Sequence, residues 1–171
     1  MVDKKNKYYL CTTIHLLPPY SSYMKYKIDI AHAGDTEPLT QFQLAMAAES
    51  ENTKLDYETV REGIKAVIAD DSKGTYLVAR NTADPPLGML LLTTEWSDWH
   101  NAAYYWVQSA YVRPDSRGQG VFSELFDMAR LIAQSEGNGS LRLYVDQNNA
   151  TARHVYEHLG MRQSHYLMYE I

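Results

Sequence analysis

Arg117, Gly118, Gln119 and Gly120 close a short polar stretch, Arg113-Pro-Asp-Ser-Arg-Gly-Gln-Gly120. A guanidinium beside two glycines one residue apart suits an anion, phosphate above all. Glycine lets a ligand approach the backbone and arginine adds a fixed charge. The stretch leads into a helical pattern from Gln119 to about Glu136, with Val121, Leu125, Met128, Ala129 and Ile132 on one face. First-turn amides of such a helix lack intrahelical partners and sit at the positive end of its dipole, so they accept an anion. The same spacing also serves as a plain helix start, and on spacing alone both readings stand.

The elements that would hold this loop are legible as a series. Tyr26 to Ile30 alternates apolar and polar side chains as a half-buried strand does. Leu39, Phe42 and Met46 mark a helix over Glu37 to Glu49, and Asp56 caps a second one running to about Ala69. Thr75 to Arg80, Leu87 to Trp96 and Ala103 to Val112 are rich in β-branched and aromatic residues and read as an antiparallel meander. After the loop helix, Leu141, Leu143 and Val145 alternate as a strand. Asn148 or Asn149 caps a helix to about Leu159, and Gly160 breaks it before a final strand from Ser164 to Tyr169. The expected order is β-α-α-β-β-β-α-β-α-β, an α/β fold with a mixed, mostly antiparallel central sheet flanked by helices.

From Trp106 to Met161, about a third of the chain, the sequence resembles the GCN5-related N-acetyltransferase (GNAT) superfamily. The strand WVQSAYV leads to VRP. Arg117-Gly118-Gln119-Gly120 matches the family's pyrophosphate loop, and DQNNATARHVYEHLGM matches Asn-x-x-Ala-x-x-x-Tyr-x-x-x-Gly at Asn149, Ala152, Tyr156 and Gly160. The resemblance implies an acyltransferase domain that moves an acetyl group from acetyl-coenzyme A to a primary amine by direct attack in a ternary complex. It implies that Arg117 and the amides of Gly118, Gln119, Gly120 and Val121 bind the coenzyme's pyrophosphate. The backbone at Tyr111 and Val112 and the side chain of Asn149 would contact the pantetheine arm, and Tyr156 would return a proton to the departing thiolate. It also implies a homodimer. Two positions depart from the family pattern: Phe122 stands where a small residue is usual, and the strand before the loop offers Gln108 and Ser109 where many members carry a glutamate.

An attacking amine must lose a proton, since a lysine-type amine has a pKa of about 10.4. Glu95 is the carboxylate assigned to that part of the chemistry, with Asp98, Glu49 and Glu51 behind it; each is placed to orient the amine or pass its proton through water. Carboxylates at turns and helix ends are otherwise simply solvated. Trp96, Trp99, Tyr104, Tyr105 and Trp106 crowd one hairpin and could hold a cationic amine by cation-π contact or merely pack across it. His154 and His158 stand one helical turn apart, but the order of a zinc motif is missing and no third ligand is evident, so no metal is expected.

The formal charge of −5 argues against a nucleic-acid partner, because phosphate-backbone binding needs clustered Lys and Arg. A lone cysteine, Cys11, cannot form an intrachain disulfide, and no apolar run reaches the roughly 18 residues that span a bilayer. A cytoplasmic protein without a membrane partner is expected. Pro18-Pro19 and Ser21-Ser22 read as a linker, which makes residues 1–23 an extension and residues 24–171 one N-acetyltransferase domain acting on a small-molecule or peptide amine. Two other readings remain open: a non-catalytic acyl-coenzyme A binding or sensing domain, and a structural domain whose glycine loop only starts a helix.

Overall fold

The computed structural model describes residues 24–81 and 85–171. The expected N-terminal extension, residues 1–23, lies outside the described residues. Strand β1 (Lys27–Ile30) leads through a short 3-10 turn into α1 (Thr36–Glu51) and α2 (Tyr57–Ala69), followed by β2 (Thr75–Arg80), β3 (Gly88–Ser97) and β4 (Ala102–Val112). Another 3-10 turn, Pro114–Ser116, precedes α3 (Val121–Glu136), and β5 (Leu141–Leu143) and α4 (Ala150–His158) complete the series. The strands form one sheet in sequence order, antiparallel from β1 to β4 and parallel between β4 and β5.

Helices cover both faces. Leu39, Phe42 and Ile64 from α1 and α2 pack on Tyr76, Val78, Met89 and Tyr111. On the other face Val121, Leu125, Ala129 and Ile132 of α3 pack on Leu77, Ala79, Leu90 and Val107. A strand covered on both sides has no solvent face, which is why Leu77-Val-Ala79 and Met89-Leu-Leu-Leu92 are unbroken apolar runs. Local chemistry sets the ends. The Asp56 carboxylate accepts the Thr59 amide at 2.8 Å and starts α2, and Asn149 accepts the Ala152 amide at 3.0 Å and starts α4. Arg80 on β2 donates to both oxygens of the buried Asp35, at 3.1 and 3.0 Å, and so fixes the entry to α1.

Two expectations are corrected. The last one, a strand from Ser164 to Tyr169, is not formed. A strand needs a neighbouring edge as well as propensity, and β5 offers only three residues; Tyr166, Leu167, Met168 and Tyr169 all lie exposed. β5 itself stops at Leu143 rather than reaching Val145, because its parallel pairing spans only Tyr105–Val107 of β4.

Candidate active site

The short pairing of β5 is what opens the site. Beyond Val107, among the described residues, β4 has a strand neighbour on its β3 side only, so its other edge is unpaired from Gln108 to Val112, where the glycine loop begins. Within this length the register shifts: Leu91 stands opposite Ser109 and Leu92 opposite Val107, leaving Gln108 as the extra residue of a bulge. The bulge resets the alternation. Val107, Ala110 and Val112 face α3, while Ser109 and Tyr111 turn toward α1.

Antiparallel pairing decides which peptide groups the open edge presents. The Arg113 amide donates to the Leu87 carbonyl at 2.9 Å, so the N–H and C=O of Tyr111 point toward β3 and those of Ala110 and Val112 toward the open edge. Of the two backbone positions expected to meet a ligand, Tyr111 thus directs its peptide groups toward β3, and Val112, like Ala110, directs them toward the open edge.

Gly118 and Gly120 have φ of +70° and +90°, a left-handed backbone that L side chains rarely adopt. A Cβ at either would meet nothing within 4 Å, so the surface above the loop is open. Gly120 caps α3 without a side-chain hydrogen bond, so no cap side chain takes up the first-turn amides of that helix. The loop is held from below. The Tyr26 hydroxyl donates to the Gln119 carbonyl at 3.2 Å, and the Lys25 and Tyr26 amides donate to the two oxygens of Glu124, at 2.9 Å each. The Gln119 side chain donates to the Asp115 carbonyl, and Arg113 pairs with Asp115.

The Arg117 guanidinium lies beside the loop. Its Nε donates to the Val112 carbonyl at 2.9 Å and its Nη2 to Glu49 at 2.6 Å, with the cation 5.3 Å from the centre of the Tyr111 ring. The other oxygen of Glu49 accepts from the Tyr111 hydroxyl at 2.8 Å. These bonds, led by that from Tyr111, hold the Glu49 carboxyl below its ordinary pKa, while burial and the adjoining Glu49 push the Tyr111 phenol up. One turn and a half earlier on α1, Gln43 donates to both Tyr76 and Ser109, at 2.9 Å each. Neither polar cluster follows from sequence, since the partners lie 33 to 68 residues apart and only the packing of α1 on the sheet joins them.

Tyr156 on α4 stands against the start of α3, its ring 5.9 Å from that of Phe122. Burial raises its pKa, so the phenol holds its proton at neutral pH. The bulky Phe122 is accommodated sideways, between Tyr156 and Phe126. Asn149 uses Oδ1 in its cap, which leaves its amide nitrogen as a donor.

Glu95 lies apart from these groups. It stands opposite Tyr104 on the far half of the β3–β4 hairpin, four residues before Gln108, or roughly 13 Å along the strand. Its carboxylate accepts from the Trp106 indole at 2.9 Å and lies 3.7 Å from Arg142, whose guanidinium covers the Tyr104 ring at 3.4 Å. The hairpin and β5 together thus bring carboxylate, cation and aromatic rings to one place. An open cleft of about 750 Å³ on the outer flank of α1 is lined by Leu44, Ala48 and residues 52–57, with no contribution from β4 or the glycine loop. Among the described residues, no group of three or more His, Cys, Asp or Glu side chains is arranged to hold a metal ion, and no helix is long and apolar enough to cross a membrane.

Comparison with known proteins meets the same region. Residues 37–161 match the model of the acetyltransferase (GNAT) family. A solved structure described as a possible acetyltransferase from Clostridium difficile 630 is 34% identical, with a TM-score of 0.80 over 85% of this chain and 96% of its own. Two more distant structures share the fold. A ribosomal-protein-alanine N-acetyltransferase from Brucella melitensis biovar Abortus 2308 is 18% identical (TM-score 0.68, 85% of this chain and 98% of its own). An aminoglycoside N-acetyltransferase in complex with CoA is 12% identical (TM-score 0.69, 86% of this chain and 96% of its own). No curated protein sequence matches the chain. With the family pattern spanning α1 to the end of α4, and a structural relative above 30% identity over nearly its full length, the chain belongs to the acetyltransferase (GNAT) family of acyltransferases.

Proposed function

We propose that the protein is an acetyl-coenzyme A-dependent N-acetyltransferase acting on a primary amine of a small molecule or peptide. The observation that carries this reading is the continuity of β4's unpaired edge with the glycine loop and the first turn of α3. An extended polar arm ending in a pyrophosphate needs that combination: strand peptide groups for the arm, then oriented amides for the anion.

The residues present fit acetyl-coenzyme A. The amides of Gly118, Gln119, Gly120 and Val121 would hold the pyrophosphate, with Arg117 beside them, and the open space above Gly118 and Gly120 leaves room for it. Peptide groups of Val112 and Ala110 would pair with the pantetheine arm, and the Asn149 amide would donate to it. Bound there, acetyl-coenzyme A would supply an acetyl thioester for direct attack by the amine. Tyr156, kept protonated by burial, is the donor for the thiolate that leaves. Glu95, exposed beside Tyr104 and Trp106, is assigned to draw the acceptor's ammonium group to the aromatic face of the hairpin. At roughly 13 Å along the strand from the bulge it orients rather than deprotonates directly.

The test is calorimetric titration with acetyl-coenzyme A, followed by a thiol-release assay over polyamines, amino acids, aminoglycosides and peptides. Binding with release identifies the acceptor class. Binding without release across the whole panel favours a sensing domain, and absence of binding sinks the proposal.

A further inference from the structure

Glu49 is an unusual place for a carboxylate. It sits in the last turn of α1, where the negative end of the helix dipole disfavours a negative charge. Both of its oxygens are nevertheless held, one by Tyr111 at 2.8 Å and the other by Arg117 at 2.6 Å. The carboxylate therefore gains its stabilisation from outside the helix, and it does so on the guanidinium that flanks the glycine loop.

We propose that Glu49 is a resident competitor for the coenzyme's phosphates: it occupies Arg117 when no ligand is bound, must give it up when pyrophosphate arrives, and so sets the affinity of the loop. The inference rests on the reading of the loop given above. Nη2 of Arg117 can leave Glu49 for a ligand while Nε stays on the Val112 carbonyl, because the Arg117 side chain is 46% exposed and that of Glu49 is 44% exposed. An ion pair so open to water is weak. A ligand that also engages several loop amides displaces it, and the released Glu49 keeps its place on α1 through Tyr111.

A purely structural Glu49, holding Arg117 ready for phosphate, predicts the opposite sign, and this makes the test direct. Coenzyme A and, separately, inorganic pyrophosphate are titrated calorimetrically into the full chain, Glu49→Gln, Arg117→Gln and the double variant, with unfolding midpoints measured alongside. The expected result is binding of both ligands about three- to fivefold tighter in Glu49→Gln than in the wild type, a gain of the size an exposed ion pair supplies. That gain disappears when Arg117 is already glutamine. Equal or weaker coenzyme A binding by a folded Glu49→Gln protein overturns the proposal. So does a gain that persists undiminished without Arg117, which would reduce Glu49 to general repulsion. A wild-type chain that binds no coenzyme A overturns the functional reading itself, before any variant is compared.

Discussion

The ring of Tyr156 rests on that of Phe122 at 5.9 Å, so the helix carrying the phenol is seated on the first turn of the helix that receives the glycine loop. The Tyr156 side chain is half-buried there, and the desolvation raises the pKa of its phenol.

Replacing Tyr156 with phenylalanine keeps the ring contact and removes only the donor. Turnover in the thiol-release assay should fall about a hundredfold, in the range for loss of a positioned acid. The calorimetric Kd for coenzyme A should stay within about twofold of the wild type. Because burial raises the phenol's pKa, the alkaline limb that belongs to Tyr156 should lie above the ordinary tyrosine value of about 10.

Gly120→Ala tests the loop. At φ +90° an alanine is strained by about 1–2 kcal/mol, although its methyl meets no neighbour. Urea unfolding should show that loss of stability, and coenzyme A affinity should drop by about tenfold, a second cost of about 1.4 kcal/mol at the ligand. A loss of stability without any loss of affinity would remove the loop from the ligand site.

Glu95→Gln retains an oxygen for the Trp106 indole and removes the charge beside Arg142. If Glu95 draws in a cationic acceptor, KM for that acceptor should rise about tenfold, in line with the loss of one charge-assisted contact. Steady-state kinetics should show kcat within about twofold of the wild type. A drop in kcat at unchanged KM would instead make it part of the proton path.

Tyr105 supplies a pH test of the fold. Burial, with Glu136 adding to it, pushes its pKa up to about 12. The unfolded phenol ionises at about 10, so the unfolded state sheds its proton first as pH rises. The stability due to neutral Tyr105 is complete below pH 10 and is lost between about pH 10 and 12. Urea midpoints across this window should fall less steeply for Tyr105→Phe than for the wild type.

Features written in neighbouring residues were legible before the structure. Asp56 and Asn149, the latter one of two asparagines expected to do so, cap their helices, and Arg117 to Gly120 adopt a glycine loop at a helix start. Features that depend on parity or packing were not. Whether Tyr111 or Val112 presents its peptide group to the open edge turns on a one-residue register, which side-chain type does not encode. The link from Tyr111 through Glu49 to Arg117 exists only once α1 lies across β4. The segment Ser164 to Tyr169 has the residues of a strand, but propensity says nothing of whether a neighbouring edge is long enough to receive it.

The underpinning of the glycine loop by Lys25 and Tyr26 bears on how the molecule assembles. Those contacts to Gln119 and Glu124 bridge separations of 93, 98 and 99 residues. Closing so long a segment carries an entropic cost that no local interaction near the loop repays. The Arg117–Gly120 turn therefore acquires its native support late, after the meander between has brought the two ends of the segment together. In synthesis Lys25, Tyr26 and the whole meander are made before Gln119 and Glu124, so the loop is the last of these parts to dock.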